Sequence, residues 1–235
     1  GGAHSQLRNP GGAAMTRDGT LYVTDSWNHR IVKYTRGYPG WNQINLDEFG
    51  MGDKAGTVAS FKGRLYSSTD RLPMVLRLNG GIWETTAMLS INPQQGEEVE
   101  HLMPFKGHLY AGIMNPTIGG QIWRSASGDP GTWEMVCQVP GGQSGSDAAV
   151  DFFGVVGDYI YATSLNWQQG TLLLRSSTGD FGSWVQVNDR GFGDANNLSV
   201  GSIVSDATDI YISTVNNNTG VEVWHSPISS GTTWT

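Results

Sequence analysis

The chain has 235 residues, of which 38% are hydrophobic and only 15% charged, with 33 Gly and 9 Trp. Low charge with abundant Gly and aromatic residues excludes a disordered segment and fits many short strands joined by tight turns. A net charge of −7 with four Lys excludes a clustered basic nucleic-acid surface, and no apolar run approaches the roughly 18 residues that a bilayer-spanning helix needs.

Along the chain, five units repeat. A Leu/Ile-Tyr pair recurs at Leu21-Tyr22, Leu65-Tyr66, Leu109-Tyr110, Ile160-Tyr161 and Ile210-Tyr211, at spacings of 44, 44, 51 and 50 residues. A tryptophan keeps step at Trp41, Trp83, Trp133, Trp184 and Trp234, at spacings of 42, 50, 51 and 50. Each unit opens with an apolar segment and turns sharply, as at Lys62-Gly63 and Lys106-Gly107. The Leu/Ile-Tyr strand follows, then a polar loop and a third strand, such as Gln121–Ser125 or Val221–Ser226. A Gly-rich hairpin then leads into the Trp strand. Four strands per unit at this period predict the blades of a β-propeller.

The expected architecture is therefore all-β: one five-bladed propeller over 1–235, with four antiparallel strands per blade. The blades span about 10–46, 54–90, 98–140, 147–189 and 197–235. The last repeat stops at Trp234-Thr235, where its outer strand would begin. Residues 3–8 are expected to supply that strand, closing the ring and removing an open sheet edge. The Tyr and Trp markers are read as packing between blades, because each aromatic buries ~150–250 Å². Cys137, the only cysteine, sits in the apolar run Met135-Val136-Cys137 and reads as a buried, inert thiol.

Two stretches carry family resemblances. Pro10-Gly11-Gly12-Ala13, Gly19–Asp25 and Asn28–Val32 resemble an NHL repeat, which implies a propeller but no single activity, since such repeats serve in binding modules and in lyases. Ser125–Trp133 and Ser176–Trp184 resemble the Asp-box (bacterial neuraminidase) repeat. Ser226–Trp234 lacks its Asp. That resemblance implies a turn-stabilising device and not sialidase activity, because the arginine cluster, nucleophilic Tyr and acid of that site have no counterparts here. Gly191–Asn197 and the strands after it are similar to repeats of uncharacterised secreted propellers, with Gly50-Met51-Gly52-Asp53 as a degenerate copy.

Candidate site residues lie on loops of one face. After the Leu/Ile-Tyr strands come Asp25 and Asn28, Asp70, Asn115, Asn166 and Asn216, with Trp27 and Trp167 beside them. The inter-blade loops add Asp53, Glu97, Glu98, Asp147 and Asp194. A flat aromatic edged by amides and carboxylates suits a sugar. Equally, Asn and Asp are good turn formers. The expected ligand-binding rim is Trp27, Asn28, Asp53, Asp70, Asn115, Asn166, Trp167, Asp194 and Asn216. A second candidate is axial: Glu98, Glu100 and His101 open one inner strand and Asp151 another. Carboxylates meeting there could hold Ca²⁺ or act as acid and base. No zinc-ligand spacing, nucleophile elbow, phosphate loop or dinucleotide fingerprint is present.

Three functions fit these features. The favoured one is a non-catalytic, extracellular or cell-surface module binding a glycan or protein, without a resident cofactor. The alternatives are a protein-interaction scaffold of a larger assembly, and a glycoside hydrolase or lyase with axial carboxylates. Oligomeric state stays open.

Overall fold

A computed structural model describes residues 6–38, 40–45, 49, 55–90, 97–139 and 147–235. Nineteen strands are formed among them, and every pairing given below is antiparallel. The first sheet runs in chain order through β1 (Pro10–Met15), β2 (Leu21–Asp25), β3 (Arg30–Tyr34) and β4 (Asn42–Gln43). The second does the same with β5 (Ala55–Phe61), β6 (Arg64–Thr69), β7 (Met74–Asn79) and β8 (Ile82–Met88). β9 (Glu98–Phe105) follows.

The next sheet holds two meanders. One is β10 (His108–Met114), β11 (Gln121–Ser125) and β12 (Trp133–Gln138). The other is β13 (Ala149–Val156), β14 (Tyr159–Leu165), β15 (Leu173–Ser176) and β16 (Val185–Gln186). A single pair, Met114↔Ala149, links them. The last sheet has three strands, β17 (Asn197–Ser205), β18 (Asp209–Asn216) and β19 (Glu222–Pro227).

The expected turns form for the expected reason. Lys62-Gly63 and Lys106-Gly107 take positive φ at both residues (48° and 74°, 41° and 80°), the backbone that a two-residue hairpin between right-twisted strands demands. Inner strands carry bulges near their starts, at Gly11 in β1, before Val58 in β5, at Asp151 in β13 and at Leu198 in β17. A bulge re-aims the extra residue's side chain, and at Asp151 that side chain is an acid.

Two compact units emerge, residues 1–109 with 125–133, and 110–124 with 134–235. The division passes through the third expected blade. Its hairpin 125–133 is held by the second sheet: Tyr66 Oη donates to Ser127 O at 3.3 Å, and Arg77 pairs with Asp129. In the other unit Tyr110 Oη donates to Thr178 O (3.4 Å) and Arg124 to Asp180 (2.7 Å), while Arg175 donates to Ser230 O (2.7 Å). Each grip is a cross-strand Tyr–Arg pair on the second and third strands of one repeat, closing on the hairpin of the next. Tyr66↔Arg77 and Tyr161↔Arg175 are directly opposite in register.

The three gripping tyrosines are at most 1% exposed, and Leu109 and Ile160 beside them are fully buried. The marker tryptophans are half-buried. Trp83 donates its indole N–H to Ile44 O (3.2 Å) and Trp234 to Val187 O (2.7 Å), in each case the outer strand of the preceding repeat. Phe49 and Phe192, both left-handed at φ 51° and 57°, meet Trp83 and Trp234 edge-on. The Trp41 ring lies 5.4 Å from that of Tyr34. Cys137 is half-buried, and burial pushes its thiol up to about 11.

Residues 3–5 of the expected closing strand lie outside the described residues. Gln6 and Arg8 are tied to the loop after β2. Arg8 N–H donates to Asp25 (2.6 Å), Trp27 N–H to Arg8 O (3.2 Å), and Arg30 to Gln6 O (3.1 Å). On the outer edge of β19, among the described residues, Thr235 exchanges both backbone bonds with His225 (2.9 and 3.0 Å).

Candidate functional site

The loops after β10, β14 and β18 are one device used three times. Asn115, Asn166 and Asn216 each turn the side-chain Oδ1 back to accept two backbone amides, two and three residues on, at 2.9–3.0 Å. A glycine four residues on takes positive φ: Gly119 (99°), Gly170 (82°) and Gly220 (92°). The sequence signal is Asn-x-x-x-Gly, visible without coordinates. The three Asn are at most 5% exposed, so these side chains brace the loop from within.

The acids of the inter-repeat loops meet them. Asn166 Nδ2 donates to Asp147 (3.1 Å), which also accepts Ser164 Oγ (2.6 Å) and both ends of Arg190 (3.1 and 2.6 Å). Asn216 Nδ2 donates to Asp194 (3.0 Å). The Asn196 backbone and the Asn216 and Asn196 amides hold the Asp194 carboxyl below its usual range. Arg190 was not expected at the rim; a lone Arg in a Gly-rich turn gives no sequence signal of its buried carboxylate.

In the first repeat an acid takes over the bracing. Asp25, fully buried, accepts the Arg8 N–H, the Asn28 amide (3.0 and 2.9 Å) and Arg30 Nε (2.7 Å). Burial raises its pKa, but the Arg8 N–H, Asn28 and Arg30 outweigh it, and the carboxyl titrates below the ordinary value. Asn28 therefore spends its amide inside the loop. Asp70 follows β6, half-buried and engaged. Asp53 lies outside the described residues.

Beside exposed amides at Asn28, Gln168 and Gln169, two of these loops leave an indole outward. Trp27 is 58% exposed, with the Arg8 guanidinium 5.1 Å above its ring, and Trp167 is 51% exposed. Each belongs to a different compact unit. A large apolar ring left in water on a rigid loop is the costly arrangement that recognition sites retain.

The axial candidates also fall in separate units. Glu98, Glu100 and His101 on β9 are half-buried and engaged. Burial lowers His101 to about 4, so its imidazole is neutral. It borders a cavity of ≈ 230 Å³ between β1, β5 and β9. In the other unit, Asp151 accepts Thr163 Oγ1 at 2.7 Å. Burial pushes it up to about 7, against the smaller opposing effect of Thr163. Among the described residues, no three His, Cys, Asp or Glu side chains cluster to hold a metal.

Asp151 makes stability depend on pH. The folded chain keeps its proton up to about pH 7, the unfolded chain only to 3.8. Between those values the folded state binds more protons, so stability falls as pH rises. Asp151→Asn mimics the protonated form and is expected to flatten that decline, giving a variant more stable than the parent at neutral pH. Urea melts from about pH 4 to about pH 8 check it. An unchanged slope would mean a solvated carboxylate.

Residues 7–34 match the NHL repeat. These are the residues of β1 to β3 and of the loop carrying Trp27. No curated protein matches the chain by sequence. Solved structures do match by fold. Virginiamycin B lyase from Staphylococcus aureus is 13% identical at a TM-score of 0.64, over 93% of this chain and 70% of that one. Regucalcin, a calcium-binding protein from Agrobacterium tumefaciens, is 14% identical at 0.62, over 97% and 74%. A chain of a nidogen/laminin complex is 12% identical at 0.63, over 96% and 78%. The likeness shows a repeat β-propeller fold built of antiparallel sheets. An enzyme, a calcium-binding protein and a protein complex share it, so function must be argued from the side chains.

Proposed function

We propose that this propeller is a non-catalytic, extracellular or cell-surface binding module that recognises a glycan or another macromolecule through its loop face. One observation carries the reading: Trp27 and Trp167 stay more than half exposed on loops braced from within by the fully buried Asp25 and Asn166. Loops already ordered by Asp25 and Asn166 spare a ligand the cost of ordering them. An indole face suits a sugar ring, and it serves equally as the anchor of a protein interface. The neighbour from a nidogen/laminin complex supports the protein version.

The test is a glycan array with purified protein, with and without calcium, repeated with Trp27→Ala and Trp167→Ala. Binding lost in either variant establishes a lectin-like face. Silence across the array moves the reading to a protein ligand. Trp167→Ala is expected to leave stability within ~0.5 kcal/mol of the parent, as surface substitutions do. A larger fall in a denaturant melt would make the indole a packing residue.

A second reading, a hydrolase or lyase with an axial acid, is favoured by Asp151 alone, a carboxyl that titrates near neutrality. Thr163 is the only side-chain partner found for it among the described residues. A glycosidase needs a second carboxylate ~5–9.5 Å away.

A further inference from the structure

The Trp27 loop carries a positive charge that the fold does not neutralise. Arg8 is fixed through its backbone, its N–H donating to Asp25 (2.6 Å) and its carbonyl accepting from the Trp27 N–H (3.2 Å). These two bonds hold the residue beside the indole whatever its side chain does. The side chain is exposed, with its guanidinium 5.1 Å from the centre of the Trp27 ring, and no carboxylate pairs with it among the described residues. The acid of the loop, Asp25, is fully buried and already matched by the Arg8 N–H, the Asn28 amide and Arg30.

Three polar groups of this loop therefore stand in water without a partner among the described residues: the Arg8 guanidinium, the Trp27 indole N–H and the Asn28 Oδ1. Asn28 is exposed, and it turns Nδ2 inward to both oxygens of Asp25, which leaves the carbonyl oxygen unbonded. Each group selects a different chemistry. A guanidinium over an aromatic ring keeps its N–H donors in its own plane, turned sideways, as the fork that takes a carboxylate at two points. The indole adds a flat apolar face and one donor. The Asn28 oxygen only accepts, so it favours a hydroxyl over a second anionic oxygen. An anion, an apolar ring face and a hydroxyl together describe a pyranose that carries a carboxylate. An acidic peptide supplies the anion without the hydroxylated ring.

We propose that the Trp27 loop takes a uronic acid residue of an acidic polysaccharide, with its carboxylate on Arg8, its ring against the indole and a hydroxyl on Asn28 Oδ1. The assignment rests on the reading of this loop as a ligand-binding face, and it names the ligand class. The Trp167 loop lacks such a cation: it presents Gln168 and Gln169, and Arg190 on its brace is paired with Asp147. The chain's net charge of −7 does not forbid an anionic ligand here, since charges beyond about 10 Å are screened at 0.1 M salt.

Isothermal titration of the whole chain tests this with paired trisaccharides that differ only at C6: the uronic acids of galactose, glucose and mannose against the neutral sugars. At least one acidic member is expected to bind about tenfold or more tightly than its neutral partner, with a preference that shrinks as salt is raised. Arg8→Gln keeps the backbone bonds to Asp25 and Trp27 and should bring the acidic sugar down to the level of the neutral one. Arg8→Lys, a charge without the fork, should restore only part of the preference. Arg36→Gln, the same loss of charge at an exposed position outside the loop, should leave it intact. Trp27→Ala should abolish binding of both partners; if it loses the parental circular dichroism, Arg8→Gln decides alone. Equal binding of acidic and neutral partners that is lost in Trp27→Ala overturns the uronic acid assignment and leaves the glycan-binding face standing. No binding of any trisaccharide overturns the assignment, as does an acid preference that survives Arg8→Gln. Poly-glutamate bound as tightly as the preferred uronic acid, and released by Arg8→Gln, overturns it in favour of an acidic peptide.

Discussion

Gly179→Ala is expected to lower the unfolding free energy by about 3 kcal/mol. A left-handed backbone costs a Cβ-bearing residue ~1–2 kcal/mol, and Gly179 sits at φ 74°. The new methyl would also press into the phenol ring of Tyr110, which is fully buried and cannot swing away. Such overpacking adds ~1–3 kcal/mol. Gly182 supplies the control. It has nearly the same φ, 76°, with nothing within 4 Å of its Cβ position. Gly182→Ala should therefore show the backbone cost alone, ~1–2 kcal/mol. The difference between the two variants in a urea melt measures the grip between repeats. Equal losses would mean that the tyrosine yields and the grip is loose.

Asp25→Ala should cost about 3–5 kcal/mol, because it strands the buried Arg30 guanidinium without its partner. It also removes the acceptor for the Arg8 N–H and the Asn28 amide. Replacing Arg30 as well, in an Asp25→Ala, Arg30→Met double variant, should recover part of the loss, since the charge left behind is then gone. The sign of the pH dependence follows from the lowered pKa. The contribution is complete above the ordinary carboxylate value of 3.8 and is lost as pH falls through the lower, folded value. Acid melts of the parent should show that loss, and those of Asp25→Ala should not. Because Asp25 shapes the Trp27 loop, the same variant should weaken any ligand that Trp27 holds. A loss under 1 kcal/mol would point to water reaching Arg30.

Local order was legible in the residues themselves. The Leu/Ile-Tyr and Trp spacings mark strands whose side chains alternate into a core, and Lys62-Gly63 and Lys106-Gly107 can form little but tight hairpins. Repetition amplifies such signals, because each unit solves the same packing problem again. The Gln-x-Asn ends of the first and fourth repeats, Gln43–Asn45 and Gln186–Asn188, are a further local signal. Asn45 and Asn188 each accept a third-strand amide, from Ile31 (2.6 Å) and Leu173 (2.7 Å), and extend the ladder with a side chain.

What a polar residue does with its hydrogen bonds was not legible, since that depends on partners brought near by folding. The loop positions of Asn115, Asn166 and Asn216 say nothing of the backbone amides two and three residues on that their Oδ1 atoms accept in the fold. Trp27 and Trp167 stand apart from the marker tryptophans by their loop positions, but how far each indole stays in water is set by the fold. Asp151 and Asp25 are the same residue type driven in opposite directions, one by burial beside a single hydroxyl, the other by an arginine and two further donors. The sequence by itself determined the repeats, their strands and their turns, because those rest on local backbone preference and alternation. Only the tertiary structure decided which polar groups are spent on the fold and which remain free for a partner, because desolvation and pairing are set by neighbours distant in the chain.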